Sequence, residues 1–210
     1  MISPDTITER TIAITGGIAS GKSSVAGIIE GFGYPVFFAD AVSKDILFHD
    51  EEIQRTIARE FGSDIFDGGT INKKLLAERA FSSEQSTKKI NGILHPAVIS
   101  KLRHMTQAAL LEADFVFVES ALVFEADITA LFRFIILVTA PTELRIERAM
   151  QSMHLSENEV LSRIQQQIPD ELKRKKCNFE IVNSGDFSQL TQRVAEVLRQ
   201  LRDHYSQIKK

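Results

Sequence analysis

Gly16-Gly17-Ile18-Ala19-Ser20-Gly21-Lys22-Ser23 has the spacing G-x-x-x-x-G-K-[ST], the pattern of a loop that cradles nucleotide phosphates. Thr11-Ile12-Ala13-Ile14-Thr15, just before it, is a β-branched run of the kind that forms a buried strand. Ser23-Ser24-Val25-Ala26-Gly27-Ile28-Ile29, just after it, opens a helix with an apolar face. Strand, glycine loop and helix in that order are the context the motif requires. Glycines let backbone N–H groups turn inward toward an anion, and the helix start adds the positive end of its dipole. Gly17, Ile18, Ala19, Ser20, Gly21, Lys22, Ser23 and Ser24 are therefore nucleotide-binding candidates. Lys22 is expected to reach the β- and γ-phosphates, and the Ser23 hydroxyl to hold Mg²⁺. The glycine spacing does not fit the dinucleotide pattern G-x-G-x-x-G.

Length and composition bound what surrounds this loop. A chain of 210 residues fits one domain with insertions better than two independent domains. A net charge of −3 gives no reason to expect nucleic acid or an acidic membrane as partner. Cys177 stands alone, which leaves no internal disulfide or cysteine zinc cluster and makes a reducing cytosol the default. Met1 to Arg10 carries Asp5 and Glu9, unlike a signal peptide. The apolar run Phe134 to Val138 is far too short to cross a bilayer. A soluble cytoplasmic protein, monomeric or weakly homo-oligomeric, is expected.

Outward from the loop, Val36-Phe37-Phe38 reads as a second buried strand that ends in Ala39-Asp40. Ligands bind at the carboxyl ends of parallel strands, so Asp40 is the first catalytic candidate; its other reading is an N-cap for the next helix. Strand-like runs then give way to helical spacing over about 44–108: Ile53, Ile57 and Phe61, then Leu75, Leu76 and Ala80. Asp67-Gly68-Gly69 marks a turn, and Ser82 with Gln85 a capping box before Ile90, Ile93, Leu94 and Ala97. Arg79, His95 and Lys101 of this region suit an anionic substrate, or are ordinary surface and half-buried helix residues.

Phe115 to Val118 forms a third strand ending at Glu119, which suits a carboxylate near Mg²⁺ or a cap for the segment 120–125. Phe134 to Val138 is the clearest buried strand, and Pro141 opens a helix carrying Leu144, Ile146 and Met150. Ser156-Glu157-Asn158-Glu159 is a capping box. The run Asp170 to Lys176 is a basic hinge suited to a lid, with Arg148, Lys173 and Arg174 as candidate lid cations, or a solvated helix face. Glu180-Ile181-Val182 is a fifth strand, followed by Asn183, a further nucleotide-binding candidate. Asp186 caps a last amphipathic helix.

These elements predict the α/β class: a P-loop nucleoside-kinase-like three-layer core with a five-stranded parallel sheet. The core takes residues 1–43, 109–151 and 178–210, a helical acceptor-binding insertion takes 44–108, and a small lid takes 152–177.

From about Ile12 to His204 the chain resembles the dephospho-CoA kinase family. The resemblance rests on Thr15 to Ser24, Ala39-Asp40, Leu94-His95-Pro96, Leu122-Val123-Phe124-Glu125 and Gln167. It implies transfer of the ATP γ-phosphoryl group to the 3′-hydroxyl of dephospho-CoA, with Mg²⁺ and with ATP and dephospho-CoA as substrates. It also implies that Asp40 accepts the hydroxyl proton and that Asp40, Arg79 and His95 bind the acceptor. The chain departs from the family pattern at Ala19, where glycine is usual, and at Phe38, Ala121 and Asp170. Another small-molecule or nucleoside monophosphate kinase on the same core is the alternative. A nucleotide-binding switch without catalysis would carry Asp-x-x-Gly and Asn-Lys-x-Asp, and neither occurs.

Overall fold

The computed structural model describes residues 8–67 and 70–208. Most of the N-terminal segment compared above with a signal peptide, and Gly68-Gly69 of the expected turn, lie outside them. In chain order the elements are β1 (Thr11–Gly16), α1 (Lys22–Gly31), β2 (Val36–Phe38), α2 (Ala39–His49), α3 (Glu51–Phe61), β3 (Phe66–Asp67), β4 (Thr70–Ile71), α4 (Lys73–Ala80) and α5 (Glu84–Ala109). Then follow β5 (Val116–Glu119), β6 (Phe134–Thr139), α6 (Thr142–Met153), α7 (Glu157–Gln165), α8 (Asp170–Arg174), β7 (Phe179–Val182) and α9 (Phe187–Ile208). The chain divides into two compact units, Met1–Phe37 with Thr106–Lys210 and Phe38–Met105.

The larger unit is built on a five-stranded sheet in the order β2-β5-β1-β6-β7. β1 pairs in parallel with β5 and β6, and β6 pairs in parallel with β7. Every residue of β1 and β6 is buried. Continuous apolar runs are what a strand covered on both faces requires, which is why these two were the plainest in the sequence. α1 buries Val25, Ala26, Ile28 and Ile29 and packs on β1 and β5. α9 buries Leu190, Val194, Val197, Leu198 and Leu201 and packs on α1 and β7. The expected caps of the later helices are present: Ser156 and Glu159 form the full box, and Asp186 Oδ1 accepts from Gln189 N at 2.8 Å.

α6 carries Leu144 and Ile146 half-buried and Met150 exposed, while its buried residues are Arg145 and Ala149. Burial of the Arg145 guanidinium is tolerated because its donors have partners inside, described below.

The smaller unit has its own core of Ile57, Phe61, Ile65, Ile71, Leu76, Ala80 and Ile90, with Leu94 packed at its margin. Asp50 caps α3 and Asn72 caps α4. β3 and β4 form a two-residue antiparallel ribbon that the sequence pattern did not reveal, being too short for a period to show. The cap before α5 sits one residue later than expected. Ser83 Oγ accepts from Ser86 N at 3.1 Å, while the Ser82 hydroxyl donates back to Arg79 O. Pro96 lies inside α5. No helix among the described residues is long and apolar enough to cross a membrane.

Ile136 is fully buried in β6, paired with Ile14 and Phe179 on its two sides. Ile136→Ala is expected to lower the unfolding free energy by about 3 kcal/mol, measured by urea denaturation.

Candidate active site

β1 ends at Gly16 and α1 begins at Lys22, so the loop between them sits at the carboxyl edge of the sheet. Gly21 is the N-cap of α1 at φ +96°, and no side chain caps that end. Uncapped first-turn amides with an aligned helix dipole form an anion site. The Asn183 side-chain amide, reached from the end of β7, donates to Ser20 O at 2.9 Å. A Cβ on Gly21 would overlap that amide, so the position requires glycine on two counts.

Two more side chains hold the loop. Gln167 Oε1 accepts from Ile18 N at 2.9 Å, and Arg145 Nε donates to Ile18 O at 2.9 Å. Lys22 Nζ donates to Gly16 O and Gly17 O, both at 3.1 Å, and so lies along the loop. The Thr15 and Ser20 hydroxyls are buried without a hydrogen-bond partner, whereas Ser23 and Ser24 are exposed. A cavity of about 210 Å³ opens beside the loop, lined by Gly21, Ser24, Arg148, Asn183, Asp186 and Phe187 among others. Phe187 is 69% exposed there.

Glu119 closes β5 opposite Ile14, two residues upstream of Gly16. Ser120, the next residue, accepts at its Oγ from Leu122 N at 3.3 Å. Asp40 is the second residue of α2, whose N-cap is Phe38 with no side-chain cap bond, so Asp40 does not act as the cap. Its side chain is exposed.

The candidate lid cations are all engaged. Arg148 Nη1 donates to Asn183 O at 3.2 Å. Lys173 is fully buried with its Nζ 2.8 Å from Glu125 Oε1. Arg174 Nε bonds Glu180 Oε1 at 2.9 Å, and the same oxygen accepts from the Thr139 hydroxyl.

In the smaller unit, Arg79 forks onto Asp64 at 2.7 and 2.5 Å and also donates to Phe61 O at 2.6 Å. The Arg79 hydrogen bond to its carboxylate holds Asp64 below its ordinary range. Lys101 bonds Asp45, whose carboxyl is lowered for the same reason. His95 is half-buried in α5, and burial pushes its imidazole below the usual value.

Arg145 is a site residue that the sequence pattern missed. A lone Arg between Leu144 and Ile146 reads as a solvated position, and only the fold shows that it turns inward. No group of three or more His, Cys, Asp or Glu side chains suited to a metal occurs among the described residues.

The family model described as dephospho-CoA kinase matches residues 10–189. A dephospho-CoA kinase of Bacteroides fragilis is 37% identical over 175 residues, covering 83% of this chain and 85% of the relative. The crystal structure of a Thermus thermophilus protein superposes with a TM-score of 0.80 at 34% identity, over 91% of this chain and 96% of that one. Dephospho-CoA kinase from Campylobacter jejuni gives a TM-score of 0.70 at 27% identity, over 93% and 98% of the two chains.

Ala19 sits at φ +54°, a left-handed conformation that costs a side-chain-bearing residue about 1–2 kcal/mol. Ala19→Gly removes that strain and adds glycine's chain entropy, roughly 0.5–1 kcal/mol. A net stabilisation of about 0.5 kcal/mol is expected by thermal denaturation. For His95, a depressed folded value means the unfolded chain binds the proton first, so stability is present above the usual value near 6.5 and is lost as pH falls through the lowered one. His95→Asn is expected to flatten that acid-side loss, read from urea midpoints measured from pH 7 downward.

Proposed function

The chain belongs to the dephospho-CoA kinase family, and from that premise we propose which of its residues transfer the γ-phosphoryl group of ATP to the 3′-hydroxyl of dephospho-CoA. The observation that carries the assignment is the uncapped start of α1 behind a loop held open by Asn183, Gln167 and Arg145. Backbone amides within Gly17 to Ser24 bind the phosphates, other than those of Ile18 and Ser20, which Gln167 and Gly17 O already hold. Lys22, which spans two loop carbonyls at rest, exchanges them for β- and γ-oxygens. The cavity lined by Arg148, Asn183 and Phe187 has the apolar and polar surface that a nucleobase takes.

Asp40 accepts the proton of the 3′-hydroxyl as that oxygen attacks the γ-phosphorus. The bond to the β–γ bridging oxygen breaks, and ADP leaves. Its place just after β2, in the first turn of α2 and without a capping duty, supports this role. Little covalent chemistry is asked of the protein beyond this; alignment and charge neutralisation supply the rest.

Mg²⁺ belongs to the same proposal. The Ser23 hydroxyl and the Glu119 carboxylate would hold it, both hard oxygen donors of the kind this ion takes alongside phosphate oxygens. They fit, since Ser23 is exposed on the first turn of α1 and Glu119 closes β5 at the carboxyl edge of the sheet. Bound there, the ion would neutralise charge on the bridging phosphates.

Residues 44–108 are assigned to acceptor binding. Arg79 and His95 are placed there for the acceptor; Arg79 is committed to Asp64 at rest and must share its donors. The segment 152–177 is assigned as the lid, with Arg148, Lys173 and Arg174 as its cations. Lys173 lies inward against Glu125 rather than in solvent. A reducing cytoplasm suits the single half-buried Cys177, and a monomer or weak homo-oligomer suits a site made by one chain.

A coupled ADP-release assay over dephospho-CoA, adenosine, AMP, CMP, shikimate and gluconate tests the assignment. Selective turnover of dephospho-CoA is expected, and selective turnover of another acceptor overturns it. Asp40→Asn is expected to cut turnover about a hundredfold or more while ATP affinity stays near native. Lys22→Ala is expected to lose both, as calorimetry with magnesium-ATP would show.

A further inference from the structure

Arg145 places a buried guanidinium directly behind the phosphate loop. Its side chain is only 6% exposed, and its partner Asp170 only 15%. A guanidinium taken out of water is tolerated when its donors are used, and the partners here are specific. Nε donates to Ile18 O at 2.9 Å, and Nη1 to Asp170 Oδ2 at 3.2 Å. Nη2 fills the space beside Gly17, where a Cβ would overlap it. On the other side of the same residue, Gln167 Oε1 takes the Ile18 N–H. Both backbone groups of Ile18 are thus held by side chains remote in sequence.

The consequence follows from the planarity of the peptide. In a trans peptide the C=O and the next N–H point in opposite directions. Holding Ile18 O against Arg145 therefore fixes the Ala19 N–H on the opposite side, away from the guanidinium. Ala19 is also the strained residue of the loop, at φ +54°. Without an anchor on the preceding carbonyl, that peptide is free to flip and relieve the strain.

We infer that Arg145, fixed by Asp170, is a positioning residue that sets the Ile18–Ala19 peptide of the loop in its phosphate-accepting orientation before nucleotide arrives. The role is distinct from that of Lys22, because Arg145 lies behind the loop and acts on phosphate only through the backbone. It rests on the nucleotide-binding reading of the loop, and it assigns a task to a pair that no motif marks.

Arg145→Gln, Arg145→Lys and Asp170→Asn are compared with the native protein by ADP release with dephospho-CoA, by calorimetry with magnesium-ATP and by thermal denaturation. Arg145→Gln and Asp170→Asn are expected to lower kcat/KM for ATP, and the ATP affinity, by about tenfold or more, because misplacing a binding group by an ångström costs that much. KM for dephospho-CoA is expected to stay within twofold. Arg145→Lys is the decisive variant. It keeps the charge beside Asp170 but cannot form the planar fork that reaches Ile18 O at the same time. It is expected to melt near the native temperature yet to share the ATP defect.

Native ATP affinity and native kcat/KM in folded Arg145→Lys would overturn the inference and leave the pair a structural one. If Arg145→Gln does not fold, Arg145→Lys and Asp170→Asn carry the same comparison. A native protein that binds ATP but ignores dephospho-CoA would sink the acceptor assignment instead, with the affinity measurements still deciding for or against Arg145.

Discussion

Backbone amides can hold a multiply charged phosphate chain only if they already face it, because turning peptides around after binding would consume the energy that binding supplies. A loop that meets this demand has amides left over at the helix start, where no side chain caps α1. The chain answers with supports from outside. Asn183 ties Ser20, and Gln167 and Arg145 tie Ile18. These supports come from the end of β7, from the segment after α7 and from α6. The larger unit must therefore be fully assembled before the loop is in shape.

The parallel sheet also sets where the strand-end residues of the larger unit lie. Every strand of such a sheet hands its following loop to the same edge. β1 leads into the glycine loop, β5 ends at Glu119 and β7 leads into Asn183. Asp40 stands in the first turn of α2, whose N-cap Phe38 makes no side-chain cap bond. The two-unit division falls just before it, between Phe37 and Phe38.

Much of this was legible in the residues, and the exceptions share a cause. The β-branched runs at Thr11–Thr15 and Phe134–Val138 announced buried strands because burial on both faces leaves no polar alternation to confuse them. The glycine loop was legible because its spacing and its flanks agree. The Ser156 box and the Asp186 cap were legible because a cap is a local bond between residues three apart. What escaped was non-local. The inward turn of Arg145 depends on Asp170 and Ile18, neither of them close in sequence. The β3–β4 ribbon is too short to have a period. The cap at Ser83 rather than Ser82 turns on which of two adjacent hydroxyls a neighbouring carbonyl claims. The commitment of Arg79 to Asp64 depends on a fold-level meeting of α4 with the turn after α3.

The Lys173–Glu125 contact also bears on how α8 finds its alignment. Lys173 is wholly enclosed, and the same Glu125 oxygen accepts from Ile168 N at 3.4 Å. Such a pair adds little net stability over an apolar one of the same size, yet stranding one member in a dry interior is severely unfavourable. A chain that docked 166–174 out of step by one residue would leave an ammonium facing hydrocarbon with no counter-ion. Charge thereby disfavours alternative alignments of that stretch, a constraint on threading that apolar packing alone does not impose.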